Sequence, residues 1–353
     1  MQAPTILGIL FQAAFVLATA SAVVAQDSTG AAPKIESTAE NQPDIQEYKT
    51  NYVPLEFRPL RGDRAEYIDL GVLAALLTSG TWMVLKRVRA RWLLLQLFFS
   101  LLYLGFWRGG CICPIGAASD VCHALFHPER IGRITLLLFL TPLVFALFAG
   151  RVFCGSVCPL GAIQHLLIRR SQPVVLPKWL DRILMIGPIL LLLAILWNSV
   201  HGPSFLVCRL DPFATAFLFG KASLHHFASQ GTTSAAPALP MVGSAMSWAF
   251  LCGSLILCTV VALPFCRYIC PFGVLLGLAS LVAFKQRVPH HSRCGVCGRC
   301  KRVCPTQAIT VDRQKMEIIA NFYKCVQCSR CDEICHRQVF AHTHNKLLER
   351  RIN

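Results

Sequence analysis

The sequence predicts a mainly α membrane protein that ends in a small α+β domain. Hydrophobic residues make up 54% of the 353 residues, and the mean hydropathy of +0.52 is typical of membrane proteins. Apolar runs near the ~20 residues that cross a bilayer predict about five transmembrane helices. They lie at about 67–85, 92–107, 134–150, 183–199 and 244–263.

The regions around these runs define five segments. Residues 1–25 have the apolar stretch and small-residue end of a signal peptide, or form an uncleaved anchor helix. Residues 26–63 are a polar segment predicted to lie in the periplasm. Residues 64–285 form the transmembrane domain, residues 286–340 a cysteine-rich domain, and residues 341–353 a basic tail.

The net charge of +16 is explained by membrane topology. Basic residues are concentrated in the loops that follow the first, third and fifth apolar runs. The positive-inside rule places these three loops in the cytoplasm. The resulting topology has a periplasmic N-terminal segment and a cytoplasmic C-terminal domain, in a bacterial inner membrane. Nucleic-acid binding is therefore not needed to explain the charge.

Two cysteine runs near the C-terminus carry the strongest chemical signal. They read "CGVCGRCKRVCP" and "CVQCSRCDEICH", and both have the spacing C-x2-C-x2-C-x3-C of bacterial ferredoxins with two [4Fe–4S] clusters. In this pattern the fourth cysteine of each run binds the other cluster. Zinc sites favour C-x-x-C pairs separated by a longer loop. The spacing predicts a C-terminal α+β ferredoxin-like domain of the two-cluster bacterial type. Residues 306–324, between the two runs, fit a short helical turn and then a hairpin of strand, turn and strand. Cluster one is assigned to Cys294, Cys297, Cys300 and Cys335, and cluster two to Cys325, Cys328, Cys331 and Cys304.

Basic side chains flank these runs at Lys301, Arg302, Lys324 and Arg330. They either balance the negative charge of the clusters, dock an acidic partner, or belong to the solvated surface.

A second pair of cysteine motifs lies in the transmembrane domain, in "RVFCGSVCPLGAIQ" and "LPFCRYICPFGVLLG". Proline favours the first turn of a helix and keeps the preceding residue out of the helical region, so helices are expected to begin at Pro159 and Pro271. Four thiols are enough for a third iron–sulfur centre. Redox-active thiols or a disulfide, and packing against the ferredoxin domain, are the alternatives. The four cysteines of these Cys-Pro motifs are Cys154, Cys158, Cys266 and Cys270.

A related stretch on the predicted periplasmic side, "GGCICPIGAASDVCH", contains Cys111 and Cys113. Thiols there could hold a metal such as copper, or form a structural disulfide in an oxidising compartment.

Taken together, the membrane runs, both C-x-x-x-C-P motifs and the two cysteine runs resemble the polyferredoxin-type membrane iron–sulfur proteins, over about residues 67–340. This family includes the quinol dehydrogenase subunit of periplasmic nitrate reduction, the regulator-like electron donor of nitrous oxide reduction and the cytochrome oxidase assembly iron–sulfur proteins. The resemblance implies electron transfer at the inner membrane, between the quinone pool or a cytoplasmic donor and a periplasmic enzyme. The long exported flavin-binding domain of some members has no counterpart here.

The expected function is membrane-bound electron transfer that links cytoplasmic [4Fe–4S] clusters, the quinone pool, or both, to a periplasmic redox enzyme or electron carrier. The donor is quinol or a cytoplasmic ferredoxin-like protein. A copper reductase or assembly factor and a redox-sensing regulator are the alternatives. The sequence has no Gly-rich phosphate loop after a strand and no Ser/His/Asp arrangement, so the expected substrate is an electron. Whether the chain acts as an enzyme, such as a quinol dehydrogenase subunit, stays open.

Overall fold

The computed structural model describes residues 63–108, 121–122, 133–168, 176–201, 216–217 and 245–344. The predicted signal peptide, the polar segment up to residue 62, the tail beyond residue 344, and both Cys111 and Cys113 lie outside the described residues.

Every predicted apolar run is helical in the structure. We call residues 63–281 the helical domain. It contains α1 (Asp63–Leu85), α2 (Ala90–Ser100, continued by a π-helical turn at Leu101–Trp107), α3 (Arg133–Ala149), α4 (Val152–Ser156), α5 (Pro159–Leu167), α6 (Lys178–Leu184), α7 (Ile186–His201), α8 (Ala245–Cys258), α9 (Pro264–Tyr268) and α10 (Pro271–Leu281).

Among the described residues, three helical stretches are long and apolar enough to cross a membrane: Glu66–Leu85, Ala90–Trp107 and Trp179–Trp197. Shorter apolar helices lie at Leu136–Ala149, Ser247–Cys258 and Pro271–Leu281. Large apolar side chains such as Trp82, Phe99 and Leu193 are more than half exposed on these helices, as expected of side chains that face lipid. The expectation of a membrane protein is thus supported, and the count of five spans stays a prediction.

The two Cys-Pro motifs lie in a structural repeat. In α3–α4–α5, as in α8–α9–α10, an apolar helix leads into a five-residue helix, and a new helix begins at the proline. The starts at Pro159 and Pro271 confirm the expectation from sequence. The backbone N–H of Cys158 donates to Phe153 O at 2.8 Å, and that of Cys270 donates to Phe265 O at 2.9 Å. The repeats exchange partners, since α3 packs on α10 and α8 packs on α5. This exchange places the two motifs face to face.

The ferredoxin-like domain, residues 285–344, contains β1 (Lys285–Pro289), a 3₁₀ turn (His291–Arg293), α11 (Arg299–Val303), β2 (Ile309–Asp312), β3 (Glu317–Ala320), α12 (Arg330–Ile334) and β4 (Phe340–His344). Strand β1 pairs antiparallel with β4, and β2 pairs with β3. The hairpin expected between the cysteine runs is therefore present. Strand β4 extends into the segment that the sequence assigned to the basic tail.

The backbone of this domain also repeats. Left-handed residues recur with an offset of 31 positions, as in Val296 and Gln327, or Gly298 and Ser329, and α11 and α12 have the same offset. Each cysteine run therefore folds around the same loop shape, although non-glycine residues with positive φ are uncommon.

The two domains meet where the loop of the second cysteine run lies on α4. A Cβ on Gly155 would overlap the carbonyl oxygen of Val326. Val326 itself is buried in the same apolar cluster as Cys154, Cys158 and Cys266. The glycine thus allows direct contact between the backbones of the two domains.

Replacement Gly155→Ala is expected to push the loop at Val326 off α4. Overpacking typically costs ~1–3 kcal/mol, so the unfolding midpoint should fall and amide hydrogen exchange at residues 322–328 should accelerate. Gly71→Ala is the matched control, because Gly71 lies inside α1 with no atom within 4 Å of an added Cβ. Equal exchange rates in both variants would show that the contact does not hold the domains together.

Candidate iron–sulfur centres

The four cysteines of the Cys-Pro motifs converge at one place in the helical domain. Cys154 lies in α4 and Cys266 in α9, while Cys158 and Cys270 immediately precede α5 and α10. All four are free thiols, three of them buried and Cys270 partly buried. The sequence left open whether the two motifs meet, and the structure brings them together.

The thiols lie close enough for their charges to repel one another. Burial, followed by repulsion from Cys154, raises the pKa of Cys270 to about 12. Burial and the neighbouring thiols also raise the pKa of Cys158 and of Cys266. Metal binding requires thiolates and releases their protons, so binding of an iron–sulfur core at this site would be coupled to the loss of thiol protons.

The glycine that ends each C-P-x-G sequence permits this convergence. A Cβ on Gly161 would lie 3.0 Å from Cys154 O, and one on Gly273 would lie 3.3 Å from Cys266 O. Each new helix therefore passes tightly over the first cysteine of its motif. The backbone N–H of Gly161 also donates to Cys158 Sγ at 3.4 Å.

One guanidinium compensates the thiol cluster. Arg151 is only 5% exposed, its Nη2 lies 3.8 Å from Cys154 Sγ, and its Nη1 donates to Tyr323 O at 2.9 Å. Burial lowers the pKa of Arg151, but the negative charges of Cys154, Cys266 and Cys270 raise it more, so that the net shift is upward. Arg151 therefore binds the four-thiol site and the ferredoxin-like domain at the same time.

The eight cysteines of the ferredoxin-like domain form two groups. Cys300 interacts electrostatically with Cys294, Cys297 and Cys335, and Cys328 with Cys304. Cys325 interacts with Cys304 and Cys328, and Cys331 with Cys325 and Cys328. These are the sets that the spacing predicts, and their ligation of two clusters stays a prediction.

The second group has its own buried arginine. Arg287 Nη1 lies 3.8 Å from Cys331 Sγ, and its Nη2 donates to Ser329 Oγ at 3.1 Å and to Val84 O at 3.5 Å. Asp332 pairs with this guanidinium at 3.2 Å. Arg287 thus reaches from the ferredoxin-like domain to α1, as Arg151 reaches in the opposite direction.

The four-thiol site adjoins the second group of ferredoxin cysteines. Cys270 and Cys328 pack against the same apolar cluster that buries Val326. A cavity of about 20 Å³ between the domains is lined by Cys266 and Cys270 on one side and by Thr306 and Tyr323 on the other. It has room for about one water.

An acidic residue fixes the domains beside this site. Asp181 Oδ1 accepts from Arg267 Nη2 at 2.6 Å and from the Tyr268 hydroxyl at 2.8 Å, and Asp181 Oδ2 pairs with Lys324 Nζ. Arg267 also donates to Gln307 Oε1 at 3.2 Å. A buried ion pair of this kind is costly to break by removing one partner.

The donor set fits iron–sulfur clusters. A cubane places each of its four cysteines on a different iron, so it needs thiols grouped around a volume, as each of the three groups is. Backbone donors point at the sulfurs, as in Ala308 N–H to Cys304 Sγ at 3.3 Å, and such hydrogen bonds tune cluster potentials. Within the described ranges, no three His, Cys, Asp or Glu side chains surround a position for a single metal ion.

Sequence reasoning missed the roles of Arg151, Arg287 and Asp181. Both arginines were counted only among the basic residues of the loops that were predicted to lie in the cytoplasm. The sequence did contain one indication of the role of Arg151, since this residue lies three residues before the first cysteine of a Cys-Pro motif.

Comparison with known proteins supports the same chemistry. A sequence family described as a 4Fe–4S binding domain matches residues 132–184 and 245–289, which contain both Cys-Pro motifs. Another family with that description matches residues 288–310, which contain the first ferredoxin run. These matches and the grouped thiols define an iron–sulfur protein.

The chain is also similar to several whole proteins. The chain is 28% identical over 210 residues to the Escherichia coli protein YccM, which is named for electron transport, covering 57% of this chain and 54% of YccM. It is 28% identical over 239 residues to regulatory protein NosR of Pseudomonas aeruginosa, covering 61% of this chain and 29% of NosR. An uncharacterized protein of Methanocaldococcus jannaschii is 25% identical over 235 residues, covering 64% and 86%. No solved structure matches the chain.

The chain thus contains sequences of the 4Fe–4S binding kind and is related to YccM and NosR, which agrees with the resemblance to polyferredoxin-type membrane proteins. It spans about half the length of YccM and less than a third of NosR.

Removal of the charge in Arg151→Gln is expected to lower the iron retained per chain, because thiolates in an apolar interior would lose their buried counter-charge. The Arg151→Lys variant should retain more iron than Arg151→Gln but less than wild type. Lysine has a single ammonium group, whereas the guanidinium has two terminal nitrogens that reach Cys154 and Tyr323 separately. Iron per chain after anaerobic purification is the measurement. Arg182→Gln, at an exposed arginine of α6, is the control, and equal iron in all four proteins would contradict the assigned role.

Proposed function

We propose that this chain is a membrane electron-transfer protein with two [4Fe–4S] clusters in the ferredoxin-like domain and a third iron–sulfur centre at the Cys-Pro motifs. The observation that carries the proposal is the convergence of four thiols, three of them buried, against the loop of Cys325 and Cys328. The match of both motifs to a 4Fe–4S binding family supports it.

The protein residues have distinct tasks in this proposal. The cysteines hold the iron, while Arg151 and Arg287 offset the charge of the thiolates. Bound clusters supply reversible one-electron transfer. The direct contact of Gly155 with the Val326 carbonyl keeps the third centre and cluster two adjacent, so electrons pass between the domains at this contact.

The proposed topology has five crossings, with the ferredoxin-like domain in the cytoplasm and the N-terminal segment in the periplasm. The basic residues of the loops and the three helices of spanning length support this. Because a hydrocarbon core is ~30 Å thick, a third centre near one face needs quinone or a periplasmic redox enzyme or carrier to complete the path.

One observation favours quinone as the partner within the helical domain. Gln164 and His165 of α5 are 0% and 4% exposed, and their side-chain polar atoms have no hydrogen-bond partner in the described part of the chain. Buried polar groups are normally paired, so unpaired ones call for a partner that the chain itself does not supply. The carbonyl oxygens of a quinone are acceptors that the amide and imidazole N–H groups can bind.

A redox-sensing regulator is the second candidate, because the NosR relatives are named regulatory proteins. Such a protein would change its cluster oxidation state without quinol turnover. The copper-handling alternative depends on Cys111 and Cys113, which lie outside the described residues.

The test of the third centre is anaerobic purification with iron and sulfide counting and EPR, on wild type and on Cys154→Ser and Cys270→Ser. We expect about twelve irons per chain if all three centres are cubanes, or about ten if the third is a [2Fe–2S] centre. Both variants should lose one EPR signal and leave the other two. Cys252→Ser, at an exposed cysteine of α8, should change nothing.

About eight irons in wild type, with unchanged EPR in the variants, would overturn the third centre and leave the ferredoxin clusters in place. Addition of quinol together with an excess of an artificial one-electron acceptor separates the two candidate functions. Steady oxidation of quinol above the rate without protein supports electron transfer, and a single stoichiometric change in the clusters supports sensing.

A further inference from the structure

The exposure of the ferredoxin cysteines is uneven. Of the eight, Cys297 alone is exposed, while Cys300 is buried and the others are intermediate. Cys297 belongs to the first group, and the second group lies against the helical domain. The first group is thus the one that a molecule in solution can approach.

A groove opens beside Cys297. It has a volume of about 790 Å³ and runs between α11 and the β2–β3 hairpin. Lys301, Arg302 and Arg313 line it together with the apolar Ile319, which is 56% exposed. Asp312 also lines the groove, and its carboxylate accepts the backbone N–H groups of the hairpin turn.

The charge of the domain is one-sided. Residues 285–344 contain eleven Lys and Arg against four Asp and Glu. Two of the four acids face the helical domain, since Asp332 pairs with Arg287 and Glu333 accepts the backbone N–H of Ala90. In the groove beside Cys297, the three basic side chains of Lys301, Arg302 and Arg313 outnumber the single acidic one of Asp312, so the lining is net positive.

We propose that this groove docks a small acidic one-electron carrier, of the ferredoxin or flavodoxin kind, which exchanges electrons with the protein at Cys297. The inference rests on the proposed cluster at Cys294, Cys297, Cys300 and Cys335. Opposite charges guide such carriers to their partners, and weak electron-transfer encounters bury less than about 1,200 Å². An apolar Ile319 within a basic rim suits a brief contact, because it excludes water at the centre without binding tightly.

The proposed electron transfer between the carrier and this protein is balanced in electrons and atoms. The reduced carrier loses one electron and is oxidised, and the iron–sulfur protein gains that electron, with no bond formed or broken. The same surface serves the reverse transfer when the carrier is the acceptor.

The test uses the full-length protein in detergent with its clusters bound. A reduced plant-type [2Fe–2S] ferredoxin is mixed with it in a stopped-flow instrument at several salt concentrations. The groove variant is Lys301→Gln with Arg313→Gln, and the control variant is Arg91→Gln with Arg182→Gln, both exposed on the helical domain. Redox-inert gallium-substituted ferredoxin measures binding separately.

At low salt we expect the second-order rate constant of the groove variant to fall about tenfold, and that of the control variant by less than about twofold. Salt should slow the wild type more than the groove variant, because screening removes charge attraction. The Kd for gallium-substituted ferredoxin should rise in the groove variant alone. Reduction by dithionite and the EPR spectra should be the same in all three proteins.

Equal rates in the groove variant and the wild type, with intact EPR signals, would overturn the docking surface and leave the proposed function standing. A defect seen in anionic lipid vesicles but absent in detergent would assign the basic residues to lipid headgroups and also overturn it. Wild-type protein without ferredoxin-type EPR signals would instead contradict the proposed function.

Discussion

The rest of the structure depends on one electrostatic constraint, the burial of four thiols around the guanidinium of Arg151. Thiolates in an apolar interior are costly unless a positive group compensates them. Arg151 supplies that charge from the turn between α3 and α4, where its Nη2 lies against Cys154 Sγ and its Nη1 donates to Tyr323 O. The position of the ferredoxin-like domain is thereby coupled to the charge of the four-thiol site, since the same side chain serves both.

The two Cys-Pro repeats have the same backbone but different side chains, and the differences correspond to their contacts with the ferredoxin-like domain. Gly155 in the first motif leaves space for Val326, whereas the corresponding Arg267 reaches outward to Asp181 and Gln307. Likewise Arg151 corresponds to Leu263, a left-handed residue with no charge. The first repeat therefore contacts the backbone of the ferredoxin-like domain directly, whereas the second contacts it through the long side chain of Arg267. Because the two contacts differ, the ferredoxin-like domain can bind the two repeats in only one orientation.

The sequence predicted the local features of this fold well. The helix starts at Pro159 and Pro271 and the hairpin between the cysteine runs follow from short-range backbone preferences, which a few residues encode. The meeting of the two motifs could not be predicted in the same way, because it depends on α3 packing against α10 and α8 against α5. The role of Arg151 was hidden for a similar reason. A basic residue at the end of an apolar run predicts topology equally well whether it faces lipid headgroups or turns inward to a buried sulfur.

Burial also affects how easily electrons can enter each centre. From the exposed Cys297 to the buried Cys154 and Cys266, the surroundings become more apolar, and an apolar environment disfavours the extra negative charge that reduction adds. Each inward step would therefore become less favourable if burial acted alone. Arg287 at the second group and Arg151 at the four thiols act against this trend, since a buried positive charge favours the reduced, more negative state. The two arginines occur at the two sites that lie at the contact between the domains, and each also binds the opposite domain. Separation of the domains would therefore remove from each site a contact that positions its counter-charge, which ties the ease of electron transfer to the integrity of the interface.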